Sequence, residues 1–466
     1  MKKLTLILVF LLGTQLFYSQ RNLSLQEAIE ISLENNHNIE LVEYDQAIAE
    51  QDVREAYGYA MPSVNFNASY QRNVILQKLI FGEGGQTSFF PPELIGFIGQ
   101  VANQVDGVSN PFANAPTDQE TEPVTIGLRN GFTTTVELNQ PIFNYAVFQG
   151  VGSAKTYKGV ADIQVDGVKS KTIKDTKSAY YSALLLKESV ELVVQSAANA
   201  QKRYEDISVL YDNGLISEYD QLRAGVQVDN LKSEILNSRT NFQNALNGLK
   251  ITIGVPVDEE IELSENLSDF ASSYSAPSAD EAKAEIKTGN YDLLTLEESV
   301  KVQDAFVDLE QASFYPTLGL FANYNFQGQS NDFDFTTFDQ SAVGLRLNWN
   351  VFQGFQRSAK LEKAKLNKEK AETQLDLLSR SLQTQGEIVS LKMETAQEQI
   401  AAGNKTVAQA ERGYEIANTR YQEGVGSLLE INDADLALRQ AKLNRLQAVY
   451  NYLNAQAEFE NLKGNK

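Results

Sequence analysis

The chain of 466 residues contains no cysteine, which excludes disulfide bonds, thiolate metal sites, cysteine nucleophiles and a lipid-bearing N-terminal cysteine. Its single histidine, His37, excludes zinc sites built from several histidines and leaves one candidate histidine base. The sequence also lacks a phosphate-binding glycine loop and a nucleophile constellation. We therefore expect no catalytic residue, no cofactor and no metal site. Acid/base catalysis by paired carboxylates has no cleft signal to support it.

Positive charge is scarce: the chain has 61 acidic and 40 basic residues, which gives a net charge of −21. Such a chain is a poor candidate for binding nucleic acid. Long apolar runs are missing beyond the N-terminus, where the basic start Met1–Lys3 precedes the apolar run Leu4–Leu12. This layout predicts a secretory signal peptide over 1–20, since a membrane anchor needs about 18 apolar residues. The mature chain would then have to cross a membrane through β-strands.

The sequence repeats itself, and such internal duplication indicates two copies of one structural plan. Four landmarks of the first half return in the same order in the second: Ser24–Ala28 as Ser278–Ala282, Met61-Pro62 as Tyr315-Pro316, Leu138–Phe143 as Leu347–Phe352, and Tyr211–Ser217 as Tyr421–Ser427. We predict a first repeat over 21–254, a linker lying along the helices over 255–277, and a second repeat over 278–466. The first repeat carries an apolar insertion at 75–124, which we expect to pack on itself or on its neighbours.

Each repeat contains two strands with strict alternation, at about 63–73 and 131–140 and at about 317–327 and 341–350. Apolar residues such as Val64 and Phe66 alternate with asparagine, and Glu137 and Arg346 fall on the opposite face. The pattern predicts a sheet with one apolar and one polar face. A half-exposed sheet of a soluble protein and the wall of an outer-membrane barrel both fit it.

We predict two very long helices after the strands, over 145–212 and 354–422, since neither segment contains a proline that would interrupt a helix. Heptad positions with many small residues form a seam in both: Ala183, Val190, Ala197, Tyr204 and Tyr211 with Leu186, Val193, Ala200 and Ile207, and Met393, Ile400, Val407, Tyr414 and Tyr421 with Ala396, Gly403, Ala410 and Ala417. Gly214 and Gly424 are predicted to stop these helices. Ser217 and Ser427 then cap return helices over 217–253 and 427–462.

Four motifs in this order resemble the TolC family of outer membrane factors: QPIFN at 140–144, RYEDISVLYDNGLIS at 203–217, WNVFQG at 349–354 and RYQEGVGSLLEINDADLALRQAK at 420–442. The resemblance covers essentially the whole mature chain. It implies a mainly α fold with a membrane β-barrel portion. Three identical chains would form a twelve-stranded barrel and a periplasmic α-helical barrel. Four strands alone cannot close a barrel, and open edges are not tolerated in lipid.

The resemblance also implies a function, which is passive transport through an outer membrane channel of a tripartite efflux or type I secretion system. The homotrimer would sit in the outer-membrane lipid of a Gram-negative cell, extend into the periplasm, and dock to a periplasmic adaptor (membrane fusion protein) and an inner-membrane pump of RND or ABC type. The alternative is a secreted or periplasmic coiled-coil scaffold or adhesin without a pore. Deletion of the 75–124 insertion would test whether it covers the barrel mouth as a lid.

The site residues follow from the motif matches. Adaptor-docking tips are implied at Tyr211, Gly214, Ser217, Tyr421, Gly424 and Ser427. A cation-favouring periplasmic constriction is implied at Glu430 and Asp433, for which the alternative is a helix-dipole role. Gly426 stands where the best-known family member has a basic residue that helps to lock the closed state, so that lock is in doubt.

Other residues invite a chemical interpretation. His37 aligns with Tyr291, which favours a surface site over catalysis. Asp332, Asp334 and Asp339 lack the spacing of a calcium loop, so a solvated loop is favoured. Trp349 could lie at a membrane interface or pack in a core.

Overall fold

The computed structural model describes residues 21–79, 92–104, 124–270 and 275–465, so the predicted signal peptide lies outside the described residues. The helices found there are α1 (Leu25–Asn35), α2 (His37–Gly58), α3 (Pro92–Gln104), α4 (Tyr145–Asp212), α5 (Glu218–Ile253), α6 (Ala279–Gly289), α7 (Tyr291–Ala312), α8 (Gln356–Gln422) and α9 (Leu428–Leu462). The strands are β1 (Arg21–Leu23), β2 (Ser63–Arg72), β3 (Gln77–Leu79), β4 (Val124–Ile126), β5 (Asn130–Phe143), β6 (Ile261–Leu263), β7 (Thr317–Ser330) and β8 (Thr336–Asn348).

The chain divides into two compact units. The first comprises the described parts of Met1–Ala56, Gln149–Gln311 and Phe355–Lys466, and the second those of Tyr57–Phe148 and Ala312–Gly354. Among the described residues, no helix combines the length and the apolar character that a membrane crossing requires.

The internal duplication is visible in the helix lengths. In each copy a helix of 11 residues precedes one of 22 residues, α1 and α2 in the first copy and α6 and α7 in the second. Ser24 and Ser278 cap the shorter helices, since their side chains accept hydrogen bonds from the backbone N–H groups of Glu27 and Glu281. The pairing of these two serines in the sequence is thus reproduced in the structure.

The core of the first unit lies between the long helices. Predicted seam residues occupy it, because Val193, Ala200 and Ile207 on α4 and Met393 and Ile400 on α8 are buried. Alanine and glycine at such positions let helix axes approach closely. Ala183 and Ala396 are buried as well, and the other seam residues, among them Val190 and Tyr414, are half-buried.

The segment that joins the two repeats is fixed along α4. Its strand β6 pairs in parallel with β1. The Lys187 ammonium donates to the Leu263 carbonyl at 2.9 Å, and the Glu188 carboxylate accepts from the Leu267 N–H at 2.5 Å. Residues 271–274 of this segment lie outside the described part.

The second unit contains a four-stranded antiparallel sheet in the order β2-β5-β7-β8. β7 and β8 extend further toward their connection than predicted, to Ser330 and from Thr336. Polar residues stand on both faces there, which hides the alternation. In the insertion, β3 pairs with β4, so its two ends are joined. Residues 80–91 and 105–123, which carry much of the lid hypothesis, lie outside the described part.

Candidate functional site: the apolar sheet face and the paired tips

The sheet of the second unit exposes an apolar face. Cross-strand register places Val64 opposite Leu138, Leu138 opposite Ala322, and Ala322 opposite Val343. Residues directly opposite each other in an antiparallel pair share one face, so all four strands contribute to it. Phe66 is 68% exposed in the single chain. Contiguous exposed apolar surface of this kind marks a contact with lipid or protein.

Both edges of this sheet are open in the part of the chain that the structure describes. β2 pairs only with β5, and β8 pairs only with β7, among the described residues. Each edge strand therefore presents a row of unpaired backbone N–H and C=O groups. An edge of 10 residues in β2 and one of 13 in β8 are both long enough to pair with another chain.

Aromatic side chains lie at both ends of the apolar face. At the β7–β8 connection, the Phe132 ring lies 5.5 Å from that of Phe326 and 5.2 Å from that of Phe335. At the opposite end, the Trp349 indole is 59% exposed and donates a hydrogen bond to the Phe314 carbonyl at 3.3 Å. The exposure of Trp349 contradicts core packing within the chain. Membrane-spanning sheets carry aromatic residues at such levels.

The other face of the sheet is polar. The Thr135 hydroxyl donates to the Asn325 side-chain oxygen at 2.7 Å, and the Arg346 guanidinium lies 4.9 Å from the centre of the Phe321 ring. Glu137 stands directly opposite Asn323. The predicted separation into an apolar and a polar face is therefore realised, and a water-filled space would suit the polar one.

In the first unit, the two long hairpins end in similar turns at the predicted residues. Gly214 and Gly424 both have φ of +74°, in the left-handed region that favours glycine. Their N–H groups donate to the carbonyls of Tyr211 at 2.7 Å and Tyr421 at 3.1 Å. Each turn thereby satisfies carbonyl groups that a helix end would otherwise leave unpaired.

The return helices α5 and α9 begin at the predicted caps. The Ser217 hydroxyl accepts from the Asp220 N–H at 3.2 Å, and the Ser427 hydroxyl accepts from the Glu430 N–H at 3.2 Å. Both helices therefore start one residue after their serine. We call residues 213–217 tip 1 and residues 423–427 tip 2.

One apolar cluster joins the helices of the two tips. We call it the tip cluster; it contains Ile207, Ala224, Leu428 and Ile431, with Tyr204, Ile216, Tyr414, Ala417 and Tyr421 packed against it. Because these residues come from α4, α5, α8 and α9, the two hairpins are held together close to their turns. Of the predicted tip residues, Tyr421 takes part in this cluster.

Tyr421 is half-buried beside this cluster. Burial raises the pKa of its hydroxyl, the carboxylates of Asp206 and Asp220 raise it further, and the Arg203 guanidinium opposes them. These three charged groups therefore lie near enough to the Tyr421 hydroxyl to act on its charge. Arg203 opens the motif at 203–217 but was not among the predicted site residues; its side chain is 7% exposed.

Glu430 and Asp433 lie in the first two turns of α9, and both are exposed. Their spacing of three residues places them on one side of the helix. Leu428, Ile431 and Asp435 are buried on the other side. The two carboxylates are therefore available to a pore or a partner. Among the described residues, no group of three or more histidine, aspartate or glutamate side chains is placed to hold a metal ion.

Two contacts of the hairpin helices, one of them beside tip 2, were not predicted. Arg420, in the last turn of α8, places its Nε 3.8 Å from the Glu430 carboxylate. Arg439 on α9 forms an ion pair with Glu234 on α5 and ties the two return helices together. Leu210 occupies the position in the first copy that matches Arg420. This difference between the repeats was the sequence signal that could have pointed to Arg420.

The remaining candidates lie on the surface. The His37 ring is 87% exposed and lies 3.3 Å from the Glu40 carboxylate, so the predicted surface site is confirmed. Asp332 and Asp334 are exposed between β7 and β8, and Asp339 is exposed within β8.

Comparison with protein families gives a match to the model described as outer membrane efflux protein, over residues 125–255 and 284–465. The matched ranges include both tips and three of the four strands of the sheet, β5, β7 and β8.

Individual proteins are similar over most of the chain. Outer membrane protein TolC of Escherichia coli is 22% identical over 349 residues, which are 72% of this chain and 70% of that protein. The alkaline protease secretion protein AprF of Pseudomonas aeruginosa is 23% identical over 335 residues, covering 71% and 69%. The crystal structure of the CmeC outer membrane channel of Campylobacter jejuni matches with a TM-score of 0.69 at 17% identity, covering 94% of this chain and 85% of that one. The expected fold class is thereby confirmed.

Proposed function

Because the chain belongs to the outer membrane efflux protein family, we propose that it is the passive outer-membrane duct of a tripartite efflux or type I secretion system. The family resemblance recognised from the four motifs is thus confirmed, and the outer membrane is the location of the protein. The proposal extends to its assembly, its pore and its partners. The observation that carries it is the exposed apolar face of a sheet whose two edges are open.

The sheet supports assembly into a homotrimer. An apolar face that remains in water and two open edges are both unfavourable for an isolated chain. Three copies that pair β8 of one with β2 of the next would close twelve strands, satisfy the edges and turn the apolar face to lipid. The apolar residues from Leu318 to Phe326 span about 26 Å along β7, which at the strand tilt of about 40° in outer-membrane barrels gives a height of about 20 Å, most of their apolar band of about 25 Å.

The tips support a periplasmic constriction. With three-fold repetition, Glu430 and Asp433 would give a ring of six carboxylates, which favours cations over anions. The competing role of these residues is interaction with the N-terminus of α9, worth about 0.3–1 kcal/mol each. The tip cluster near the turns would let displacement of one hairpin move the other.

The tips also support docking to a periplasmic adaptor and, through it, to an inner-membrane pump. Three apolar side chains are exposed at the start of α5, Tyr219, Leu222 and Val226, and Leu215 is 70% exposed in tip 1. Their spacing of three and four residues places the α5 residues in one stripe. An adaptor with a helical hairpin would bury such a stripe between tips 1 and 2, near Tyr211, Gly214, Ser217, Tyr421, Gly424 and Ser427.

A bilayer experiment tests the pore. The full chain is expressed in a Gram-negative host, and membrane extracts are examined for a species that migrates as a trimer until heated. The purified protein should conduct in planar bilayers with cation preference and block by Mg²⁺. Glu430→Gln with Asp433→Asn should weaken both the preference and the block. A soluble monomer in the periplasm would instead favour the coiled-coil scaffold, and a channel whose block is unchanged would assign the carboxylates to α9 alone.

Crosslinking tests the partners. Because the chain has no cysteine, Gly214→Cys or Gly424→Cys introduces a unique thiol. Crosslinks from either position to a periplasmic adaptor, identified by mass spectrometry, are the expected result. Crosslinks from both positions to unrelated envelope proteins alone would contradict the docking proposal.

A further inference from the structure

Tips 1 and 2 differ in their backbone. In tip 2, the N–H groups of Val425 and Gly426 both donate to the Arg420 carbonyl, at 3.0 and 2.9 Å. In tip 1, the Leu215 N–H donates to the Leu210 carbonyl at 2.9 Å, and Ile216 occupies the position that matches Gly426. Tip 2 is therefore folded more tightly against the end of α8 than tip 1 is against the end of α4.

This tightness leaves no room for a side chain at 426. A Cβ atom added to Gly426 would lie 2.9 Å from the Tyr421 nitrogen and 3.0 Å from the Arg420 Cβ. The first of these is a backbone atom, so a substitution would have to shift the turn itself. A basic residue at this position is therefore incompatible with the turn as it is folded here.

Arg420 places a positive charge beside tip 2, although position 426 carries none. Its Nε lies 3.8 Å from the Glu430 carboxylate, and its Nη2 donates to the Val425 carbonyl at 3.4 Å. About half of each charged side chain is exposed, so water screens the pair. Asp433, in contrast, has no ion pair with any residue in the described part of the chain.

We propose that Arg420 sets the strength of the cation preference at the constriction by offsetting the charge of Glu430. This inference rests on the proposed function, in which Glu430 and Asp433 form a ring. With one Arg420 per chain, three guanidinium groups would oppose six carboxylates and leave the Asp433 charges uncompensated. A unit charge several ångströms from a cation site in water changes the affinity of that site for the cation by about two- to fivefold.

Single-channel recording of charge variants tests the inference. Arg420→Gln should increase the ratio of cation to anion permeability and lower the Mg²⁺ concentration for half-block by about two- to fivefold. Arg420→Lys keeps the charge and should behave as the wild type. Arg412→Gln is the matched control, because Arg412 lies two turns earlier on α8 in an exposed pair with Glu415 at 2.5 Å and its loss should leave selectivity unchanged.

A double-mutant cycle separates this inference from the proposed function. In a Glu430→Gln background, Arg420→Gln should still raise the ratio of cation to anion permeability, because the guanidinium charge acts on a passing ion whether or not residue 430 is charged. An Arg420→Gln channel identical to the wild type, beside a Glu430→Gln channel that differs, would overturn the role of Arg420 and keep the constriction. An unchanged Glu430→Gln/Asp433→Asn channel would overturn the constriction itself. Trimer migration before heating verifies assembly of each variant, and Arg420→Met replaces Arg420→Gln if the latter does not assemble.

Discussion

The side-chain amide of Asn290 donates a hydrogen bond of 2.9 Å to the carbonyl oxygen of Leu462. Its counterpart in the first copy, Asn36, donates to the Thr252 carbonyl at the same distance. Each asparagine lies between the 11-residue and the 22-residue helix of its repeat and bonds to the end of a return helix. The duplicated contact therefore fixes the short helices to the long hairpin in both halves of the first unit.

We predict that Asn290→Ala destabilises the protein by about 1–3 kcal/mol, since Asn290 is buried and its loss leaves the Leu462 carbonyl without a partner. The Asn290 side-chain oxygen also accepts from the Leu293 N–H at 3.0 Å, so a second bond is lost. Denaturant unfolding followed by helical circular dichroism measures the effect. Asn38→Ala, which removes an exposed amide near Asn36, is the control. Equal unfolding midpoints for both variants would show that the amide contact is dispensable.

The tip turns offer a pair of glycine substitutions with opposite expected signs. Gly424→Ala forces a side chain into the left-handed region and should destabilise tip 2 by about 1 kcal/mol. Gly413→Ala, in the middle of α8 with nothing within 4 Å of the added Cβ, should stabilise its helix by about 0.5–1 kcal/mol. Amide hydrogen exchange of residues 405–430 measures both effects. Slower exchange around the turn in the Gly424→Ala variant would contradict the prediction.

Much of the fold follows from local sequence signals. Glycine at 214 and 424 and serine at 217 and 427 act within a few residues of themselves, so the turns and caps could be predicted. The two faces of the sheet also follow from alternation, although β8 begins earlier than predicted because Thr336 and Thr337 give no alternating signal.

Contacts between distant residues could not be predicted in the same way. Arg420 lies near Glu430 only because tip 2 folds back so tightly, and the burial of Arg203 depends on tertiary packing that no local pattern specifies. A charged residue at a heptad-flanking position gives no such signal by itself, since it is usually solvated.

We predict that the free energy of unfolding depends on pH through the carboxyl group of Glu188. Burial raises the pKa of its carboxyl group, and the hydrogen bond from the Leu267 N–H opposes that rise. A raised pKa in the folded state means that the stabilising contribution is present at low pH and is lost as pH rises through the folded pKa. Glu188→Gln keeps an acceptor for Leu267 without an ionisable group. Its stability relative to the wild type should therefore increase from pH 4 to pH 7, as measured by denaturant unfolding at both values.

The control for Glu188 is Glu394→Gln, which changes an exposed carboxylate on α8. This variant should follow the wild type at both pH values. A Glu188→Gln variant that loses stability relative to the wild type on going from pH 4 to pH 7 would show that the Leu267 contact outweighs burial.

The Arg203 guanidinium is buried, and its Nε has no hydrogen-bond partner among the described residues. Burying a guanidinium whose Nε makes no hydrogen bond carries a desolvation penalty, and removing the group relieves that penalty. Arg203→Met should therefore raise the free energy of unfolding by about 1–4 kcal/mol. Arg412→Met, at an exposed site on α8, should change it by less than about 0.5 kcal/mol. A destabilised Arg203→Met trimer would reveal that assembly supplies an acceptor for the guanidinium.

The apolar face of the sheet gives the sharpest test of membrane insertion, because neighbouring residues of β8 point to opposite faces. Leu345 is 64% exposed on the apolar face, and Gln340 lies on the polar face of the same strand. A lysine that faces lipid costs about 2–4 kcal/mol near the middle of the membrane, whereas one that faces a water-filled lumen costs little. Leu345→Lys should therefore reduce the heat-modifiable trimer in the outer-membrane fraction, while Gln340→Lys should assemble as the wild type does. Normal assembly of both variants would mean that the apolar face of this sheet does not contact lipid.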